Sequence, residues 1–308
     1  MDVVSIRPRS YCRGVLLAIR KALAVKAEHP DENVSVLGLL VHNKWVVRAL
    51  EEKGIKTISE PGLNRLELLD LVPQGYVIFS AHGVSDAVRE KAKRLGLKIA
   101  DATCPEVRST QELVEQKLAE GYHVFYIGKA GHPEALAVTS GKANLSLITS
   151  EEDIPKRLKA EKIFVTNQTT LSVRDLADVF QAITKLYPHA EFANEICSAT
   201  RKRQEAVEKA GDLDLLLVVG DPQSNNTAML AEIAKASGAA SVKRIESAED
   251  LDLAWFRPDI KVGETAGAST PAYLYRQVED YLRTLDFDDP APLPEVDPAH
   301  ILDMKRTK

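Results

Sequence analysis

The sequence predicts an α/β protein built from three similar domains with mostly parallel sheets, and three observations support this. Short apolar runs alternate with amphipathic helical patterns along the chain, which is typical of βα units. The three cysteines, Cys12, Cys104 and Cys197, are nearly equally spaced. Each of them follows a short apolar run and precedes a helical pattern, which indicates one structural plan used three times.

The elements follow the same order in each third of the chain. Helical patterns after the cysteines cover 15–28, 105–120 and 198–210. Two further apolar runs per third end in polar loops, at 34–40 and 76–79, at 123–127 and 162–165, and at 215–219 and 260–262. The first strand precedes Cys12, so we expect it to complete the sheet of the last third. The predicted domains are 14–104, 105–197, and 198–285 together with 1–13.

The remaining segment, 286–308, is rich in Pro and Asp without a periodic pattern, and we interpret it as an irregular C-terminal extension.

Composition and charge exclude several classes of function. The 308 residues carry a net charge of −5, which argues against general nucleic-acid binding, since that requires a basic face. No apolar run approaches the roughly 18 residues of a membrane span. The first 20 residues lack a long apolar stretch, so we expect no signal peptide. An odd, low cysteine count favours a reducing cytoplasm over a disulfide framework.

The polar loops after the predicted strands suit an anion. Ligands of parallel sheets bind outside the carboxyl ends of the strands. Three domains around a pseudo-threefold axis would therefore direct all these loops and the three cysteines into one central cavity. The loop side chains are mostly neutral hydrogen-bonding groups that suit a phosphate or diphosphate: His42, His82, His132, Thr169, Thr170, Ser224, Asn225, Asn226 and Ser269. Taken singly, such residues are more often helix caps or surface residues.

The cysteines are candidate metal ligands. A thiol at a helix N-terminus favours the thiolate. Three thiolates are one fewer than zinc or a cubane iron–sulfur cluster normally takes from protein. A 4Fe-4S cluster with one iron free of cysteine could bind substrate and pass single electrons, whereas zinc could only bind substrate. The alternative is that all three are small buried hydrophobes.

Two charged segments have more than one interpretation. Glu134 follows His132-Pro133. Beside an anionic substrate its pKa would rise, and it could deliver a proton; alternatively, it is an ordinary carboxylate at a helix start. We interpret Arg201-Lys202-Arg203 as a solvated helix face, in preference to a dock for an acidic electron donor.

Taken together, the motifs resemble the 4-hydroxy-3-methylbut-2-enyl diphosphate reductases, the IspH or LytB family. The matching segments run in order through nearly the whole chain: 8–15, 41–43, 80–84, 101–105, 131–134, 168–172, 196–197, 224–226 and 265–269. The resemblance implies three α/β domains around a central 4Fe-4S cluster bound by Cys12, Cys104 and Cys197, with one iron open to substrate. It implies reductive dehydroxylation of the allylic diphosphate to isopentenyl and dimethylallyl diphosphates, the last step of the methylerythritol phosphate route to isoprenoids.

The resemblance also assigns site residues and partners. Glu134 and Thr169 would manage the proton and the hydroxyl, and Thr169 would also contact the substrate. The diphosphate would be held by His42, His82, His132, Ser224, Asn225, Asn226 and Ser269. Ferredoxin or flavodoxin would supply electrons. The sequence departs from the common family pattern at Ser10, Asn225, 135–137 and 227–229.

Two other functions remain open on the sequence. One is a cluster-dependent hydro-lyase acting on a phosphorylated substrate, and the other is a non-catalytic metal-binding sensor. The lyase needs no reductant, and the sensor shows no turnover.

Overall fold

The computed structural model describes residues 1–304. The strands are β1 (Asp2–Ser5), β2 (Val34–Leu37), β3 (Ile55–Ile58), β4 (Tyr76–Phe79), β5 (Lys98–Asp101), β6 (His123–Ile127), β7 (Leu145–Ile148), β8 (Ile163–Asn167), β9 (Glu191–Phe192), β10 (Leu215–Val219), β11 (Val242–Ile245) and β12 (Lys261–Ala266). The α-helices are α1 (Arg13–Glu28), α2 (Lys44–Glu52), α3 (Arg65–Leu68), α4 (Asp86–Arg94), α5 (Pro105–Ala119), α6 (Pro133–Thr139), α7 (Val173–Leu186), α8 (Ser198–Glu208), α9 (Asn225–Ala236) and α10 (Ala272–Thr284). Short 3₁₀ turns join several of them. Among the described helices, none combines the length and the apolar character needed to cross a bilayer.

The chain forms two compact units. Among the described residues, the first unit contains Met1–Leu16, Val41–Glu52 and 198–304, and the second contains Leu17–Leu40 and Lys53–Cys197. The predicted boundaries of three domains remain predictions. Residues 305–308 of the predicted extension 286–308 lie outside the described residues.

Every strand pair in the described sheets is parallel, as predicted. The second unit holds two four-stranded sheets, with strand orders β3-β2-β4-β5 and β7-β6-β8-β9. The first unit holds one, whose order can be written β11-β10-β12-β1. In each sheet, the strand that leads to a cysteine lies at one edge. The third sheet confirms that the first strand of the chain, β1, completes the sheet of the last third.

The sheets are buried on both faces, which is why their strands read as continuous apolar runs. In β6, Phe125 and Ile127 pack into one hydrophobic cluster, and the alternating Val124 and Tyr126 pack into another. The strand β10 is completely buried. Since a parallel sheet requires a crossover between strands, helices cover these faces and bring the carboxyl ends of neighbouring strands to the same edge.

Three strands are absent from the sequence prediction: β3, β7 and β11. Each lies at the edge of its sheet opposite the cysteine strand. An edge strand is half exposed, so its apolar residues are interrupted by polar ones, as in Ile55-Lys56-Thr57-Ile58. The apolar-run criterion therefore missed one of the two edge strands of each sheet, in all three cases because polar residues interrupt the apolar ones.

Candidate functional site

Each cysteine lies at the N-terminus of a helix, as the sequence predicts. Cys12 directly precedes α1, and its Sγ accepts the N–H of Val15 at 3.5 Å. Cys104 is the N-cap of α5, where Pro105 occupies the first helical position. Cys197 directly precedes α8. All three lie outside any disulfide and are of intermediate exposure rather than fully buried hydrophobes, and the positive end of a helix dipole favours their thiolate forms.

The backbone of each cysteine is held in the same way. The N–H of Cys12 donates to the carbonyl of Ala268 (2.9 Å), that of Cys104 to Ala81 (3.0 Å) and that of Cys197 to Thr169 (3.1 Å). Each acceptor stands two residues after the end of β12, β4 or β8, respectively. The residues that follow these acceptors are Ser269, His82 and Thr170. The residue whose carbonyl holds each cysteine is therefore followed directly by a polar residue of the same loop.

Glu134 and Thr169 form a buried pair in the second unit. Glu134 lies in the first turn of α6 and is 2% exposed. Its Oε1 accepts the backbone N–H of Thr169 at 2.7 Å, and its Oε2 accepts the Thr169 hydroxyl at 3.1 Å. The fold thus places side by side the two residues that the sequence analysis assigned to the proton and the hydroxyl.

Burial gives Glu134 an acid strength suited to proton transfer. Loss of water around the carboxylate raises its pKa to about 7, although the two Thr169 hydrogen bonds and the Tyr126 hydroxyl act in the opposite direction. The Tyr126 hydroxyl makes no hydrogen bond of ordinary geometry within the described residues. The pKa of Tyr126 is raised well above its usual value, mainly by burial and secondly by the negative charge of Glu134. A carboxyl group with a pKa near neutrality can both give and take a proton.

His82 and His132 lie close together in the second unit. Their rings are in edge-to-face contact, with centroids 5.6 Å apart and planes at 85°. His132 is the N-cap of α6, and its Nδ1 accepts the N–H of Glu134 at 3.2 Å. A nitrogen that accepts a backbone N–H is unprotonated, so the neutral ring carries its proton on Nε2.

The start of α9 gathers three predicted residues in the first unit. Ser224 is the N-cap, and its Oγ accepts the N–H of Thr227 at 3.3 Å. Asn225 and Asn226 form the first turn, and each is 5% exposed. The Asn226 Oδ1 accepts the N–H of Ala268 at 2.9 Å, whereas its Nδ2 is buried without a hydrogen-bond partner in the described chain. A buried donor left unmatched at a helix N-terminus fits an anionic ligand.

Ser269 and His42 are joined in the same unit. The Ser269 hydroxyl donates to the carbonyl of His42 at 2.8 Å. Asp221, which follows β10, reaches the same region: its Oδ2 accepts the N–H of Lys44 at 3.0 Å, and its Oδ1 accepts that of Gln223 at 2.8 Å. Asp221 therefore connects the loop before α9 to the start of α2, beside His42.

Several residues with a structural part in the site escaped the sequence analysis. Asp221 carried a usable signal, a carboxylate just after an apolar strand, and so did the hydroxyl of Tyr126 inside a buried strand. The interpretation of Arg201-Lys202-Arg203 as a solvated face was wrong for Arg203. That residue is 4% exposed, and its Nη2 donates to the carbonyl of Ser10 at 2.6 Å, so it supports the segment before Cys12.

Comparison with known proteins gives one consistent family. A profile described as "LytB protein" matches residues 3–283. The 4-hydroxy-3-methylbut-2-enyl diphosphate reductase of Geobacillus thermodenitrificans is 44% identical over 296 residues, covering 94% of this chain and 93% of that protein. The enzyme of the same name from an Exiguobacterium species is 45% identical over 296 residues, covering 94% and 92%.

Solved structures agree with the sequence relatives. The E-1-hydroxy-2-methyl-but-2-enyl-4-diphosphate reductase of Plasmodium falciparum superposes with a TM-score of 0.84 at 28% identity, over 98% of this chain and 97% of that one. A second structure, described as the terminal enzyme of the non-mevalonate pathway, gives a TM-score of 0.65 at 30% identity, over 92% and 100%. The parallel α/β sheets, the profile match and these relatives together show that the chain belongs to the LytB protein family.

Proposed function

We propose that this protein is a 4-hydroxy-3-methylbut-2-enyl diphosphate reductase that removes the hydroxyl group of its allylic substrate with two electrons and two protons and releases water. The observation that carries the proposal is the Glu134–Thr169 pair: a buried carboxyl group whose pKa lies near 7, within a chain whose relatives bear this enzyme's name.

Cys12, Cys104 and Cys197 are the proposed ligands of a 4Fe-4S cluster. The three thiols suit it because each lies at a helix N-terminus and has its backbone N–H fixed by a loop carbonyl. When bound, the cluster supplies single electrons and a Lewis-acidic iron for the leaving hydroxyl group. The odd number of cysteines suits a reducing compartment, so we place the protein in the cytoplasm, with ferredoxin or flavodoxin as the electron donor.

The proposed diphosphate ligands are His42, His82, His132, Ser224, Asn225, Asn226 and Ser269. Thr169 is proposed to contact the substrate at its hydroxyl group. Neutral donors suit this task because they hydrogen-bond the phosphate oxygens without adding fixed charges. The buried Nδ2 of Asn226 and the Nε2–H of His132 are donors of this kind. Ser269 donates to His42 in this conformation, so its hydroxyl must rotate to donate to a phosphate.

Glu134 is the proposed proton donor. With a pKa of about 7, it holds a proton in half of the molecules at neutral pH. The Thr169 hydroxyl, bonded to Oε2, can pass that proton to the leaving hydroxyl group by accepting one proton and donating another.

Anaerobically purified protein tests the proposal. We expect bound iron and sulfide, and oxidation of a reduced viologen only when the allylic diphosphate is added. Glu134→Gln should abolish this turnover while retaining iron. Glu106 is an exposed carboxylate in the first turn of α5, and Glu106→Gln should retain turnover. Cluster-loaded protein that consumes no reductant would contradict the proposal, and product formed without reductant would indicate a lyase.

A further inference from the structure

A guanidinium group outside the proposed machinery braces the loop that carries His82. Arg65 is the first residue of the short helix α3. Its Nη1 donates to the carbonyl of Gly83, and its Nη2 donates to the Ser80 Oγ at 2.8 Å. These two contacts lie on either side of His82 in the chain. Burial lowers the pKa of Arg65 to about 10, so the group remains a cation at neutral pH.

Ser80 links this cation to the imidazole. Ser80 is completely buried, and its Oγ lies 3.4 Å from the His82 Nδ1. A hydroxyl has one proton to donate. Because the oxygen already accepts from a guanidinium, its own proton is a stronger donor, and a second N–H aimed at the same oxygen is disfavoured. The Ser80 proton is therefore directed to Nδ1 of His82.

The result for His82 matches the result for His132. In His132 the backbone N–H of Glu134 occupies Nδ1 and leaves the proton on Nε2. In His82 a side-chain hydroxyl, oriented by Arg65, does the same.

We propose that Arg65 is a positioning residue which, acting through Ser80, fixes His82 as the neutral tautomer with its proton on Nε2, oriented to donate to a phosphate oxygen. This inference rests on the proposed function only in taking the diphosphate as the anion; the tautomer itself does not depend on turnover.

Neutron crystallography of the anaerobic, substrate-free holoenzyme tests the tautomer directly. We expect deuterium on Nε2 of His82 and none on Nδ1. In Ser80→Ala the preference should be lost, and deuterium should appear on Nδ1. Deuterium on Nδ1 in the unaltered protein, or an unchanged proton position in Ser80→Ala, would overturn the proposal even if the enzyme is fully active.

Kinetics separate positioning from a general structural role. Ser80→Ala should raise the KM for the allylic diphosphate and the inhibition constant of inorganic diphosphate about tenfold, the loss expected for one hydrogen bond to a charged group. The kcat should change little, since the contact is made equally in the ground and transition states. An unchanged KM and inhibition constant would contradict the proposal.

Ser35→Ala is the matched control. Ser35 is equally buried, lies on the neighbouring strand β2, and its hydroxyl has no hydrogen-bond partner among residues 1–304. It should leave both constants unchanged. Arg65→Met should also raise the KM. In the double variant Arg65→Met/Ser80→Ala, the fold-increase in KM should be smaller than the product of the two single fold-increases, because both substitutions act on the His82 ring. If Arg65→Met fails to fold, Arg65→Lys, which keeps the charge but cannot reproduce the two guanidinium contacts, should raise the KM instead, and an unchanged KM in that variant would contradict the role of Arg65.

Discussion

Glu134 shows how burial alone can prepare a residue for chemistry. Its carboxyl group is almost completely enclosed and accepts two hydrogen bonds from Thr169, yet its pKa is raised rather than lowered. The cost of removing the charge from water therefore exceeds the gain from two good acceptor contacts. The same imbalance gives the residue a measurable effect on stability.

We expect the stability of the protein to depend on pH through Glu134. Below about pH 4.5 the group is protonated in both the folded and unfolded states. As the pH rises to about 7, only the unfolded state ionises, so Glu134 progressively destabilises the fold, by about 1.4 kcal/mol per unit of pKa difference. Denaturation of wild type and Glu134→Gln between pH 4 and 8 should show the free energy of unfolding of the variant rising relative to that of wild type, by up to roughly 3 kcal/mol.

Above pH 7 this difference should become constant. Glu106→Gln, an exposed control, should not reproduce the trend. A difference between Glu134→Gln and wild type that does not vary with pH would show that the carboxyl group is not destabilised by burial.

Tyr126 also influences the protonation of Glu134. Its hydroxyl lowers the pKa of Glu134, so Tyr126→Phe should raise that pKa further. The alkaline limb of the kcat/KM profile should move to higher pH, because the acid stays protonated longer. Tyr122→Phe, whose hydroxyl bonds Glu191 instead, should leave the profile unchanged. A downward movement in Tyr126→Phe would contradict the assignment of Glu134 as the acid.

In the first unit, the loop after β12 approaches helix α9 so closely at Gly267 that there is no room for a side chain there. Thr227, in the first turn of α9, packs against the loop that follows β12. A Cβ on Gly267 would lie 2.2 Å from the Thr227 Oγ1. The same loop carries Ala268, which accepts from Cys12, and Ser269, which donates to His42. The close approach of Gly267 and Thr227 therefore fixes the position of both contacts.

Gly267→Ala should lower the free energy of unfolding by roughly 1–3 kcal/mol, the usual cost of overpacking, and should raise KM by displacing Ser269. Adding Thr227→Ala should recover most of the loss, since the nearest remaining atoms lie at an ordinary 3.4 Å. Equilibrium unfolding of the two single variants and the double variant measures this. Equal damage in Gly267→Ala with and without Thr227→Ala would show that the clash is not the cause.

Within residues 1–304, three sheets repeat one strand order, and the last of them is completed by the first strand of the chain. The C-terminal segment adds to the first unit beyond its helices. Ile301 is completely buried, and its carbonyl accepts the hydroxyl of Tyr11 at 2.9 Å. Tyr11 directly precedes Cys12, so the far end of the chain supports the segment that carries a proposed cluster ligand.

Ile301→Ala should therefore destabilise the protein by about 2–4 kcal/mol, as for a core residue. Phe287→Ala, in the same irregular segment but 38% exposed, should cost about 0.5 kcal/mol or less. Chemical denaturation compares the two. Equally small losses in the free energy of unfolding for both variants would indicate that the segment contributes no packing of its own.

The α/β class, the parallel sheets, the helix N-termini at all three cysteines and the family can all be predicted from the amino-acid sequence. These follow from local features: apolar runs, helical periodicity and short motifs. The sequence could not show β3, β7 and β11, because polar residues interrupt the apolar run in each of these three edge strands.

The pairing of the site residues, in contrast, is visible only in the folded chain. The hydrogen bond between Glu134 and Thr169 joins residues that are far apart in sequence. The contact of Arg65 with Ser80, beside His82, and the burial of Ile301 likewise depend on how the chain folds. Their pKa values and hydrogen-bond roles depend on which neighbours exclude water. Burial is a property of the folded chain and leaves no periodic trace in the sequence.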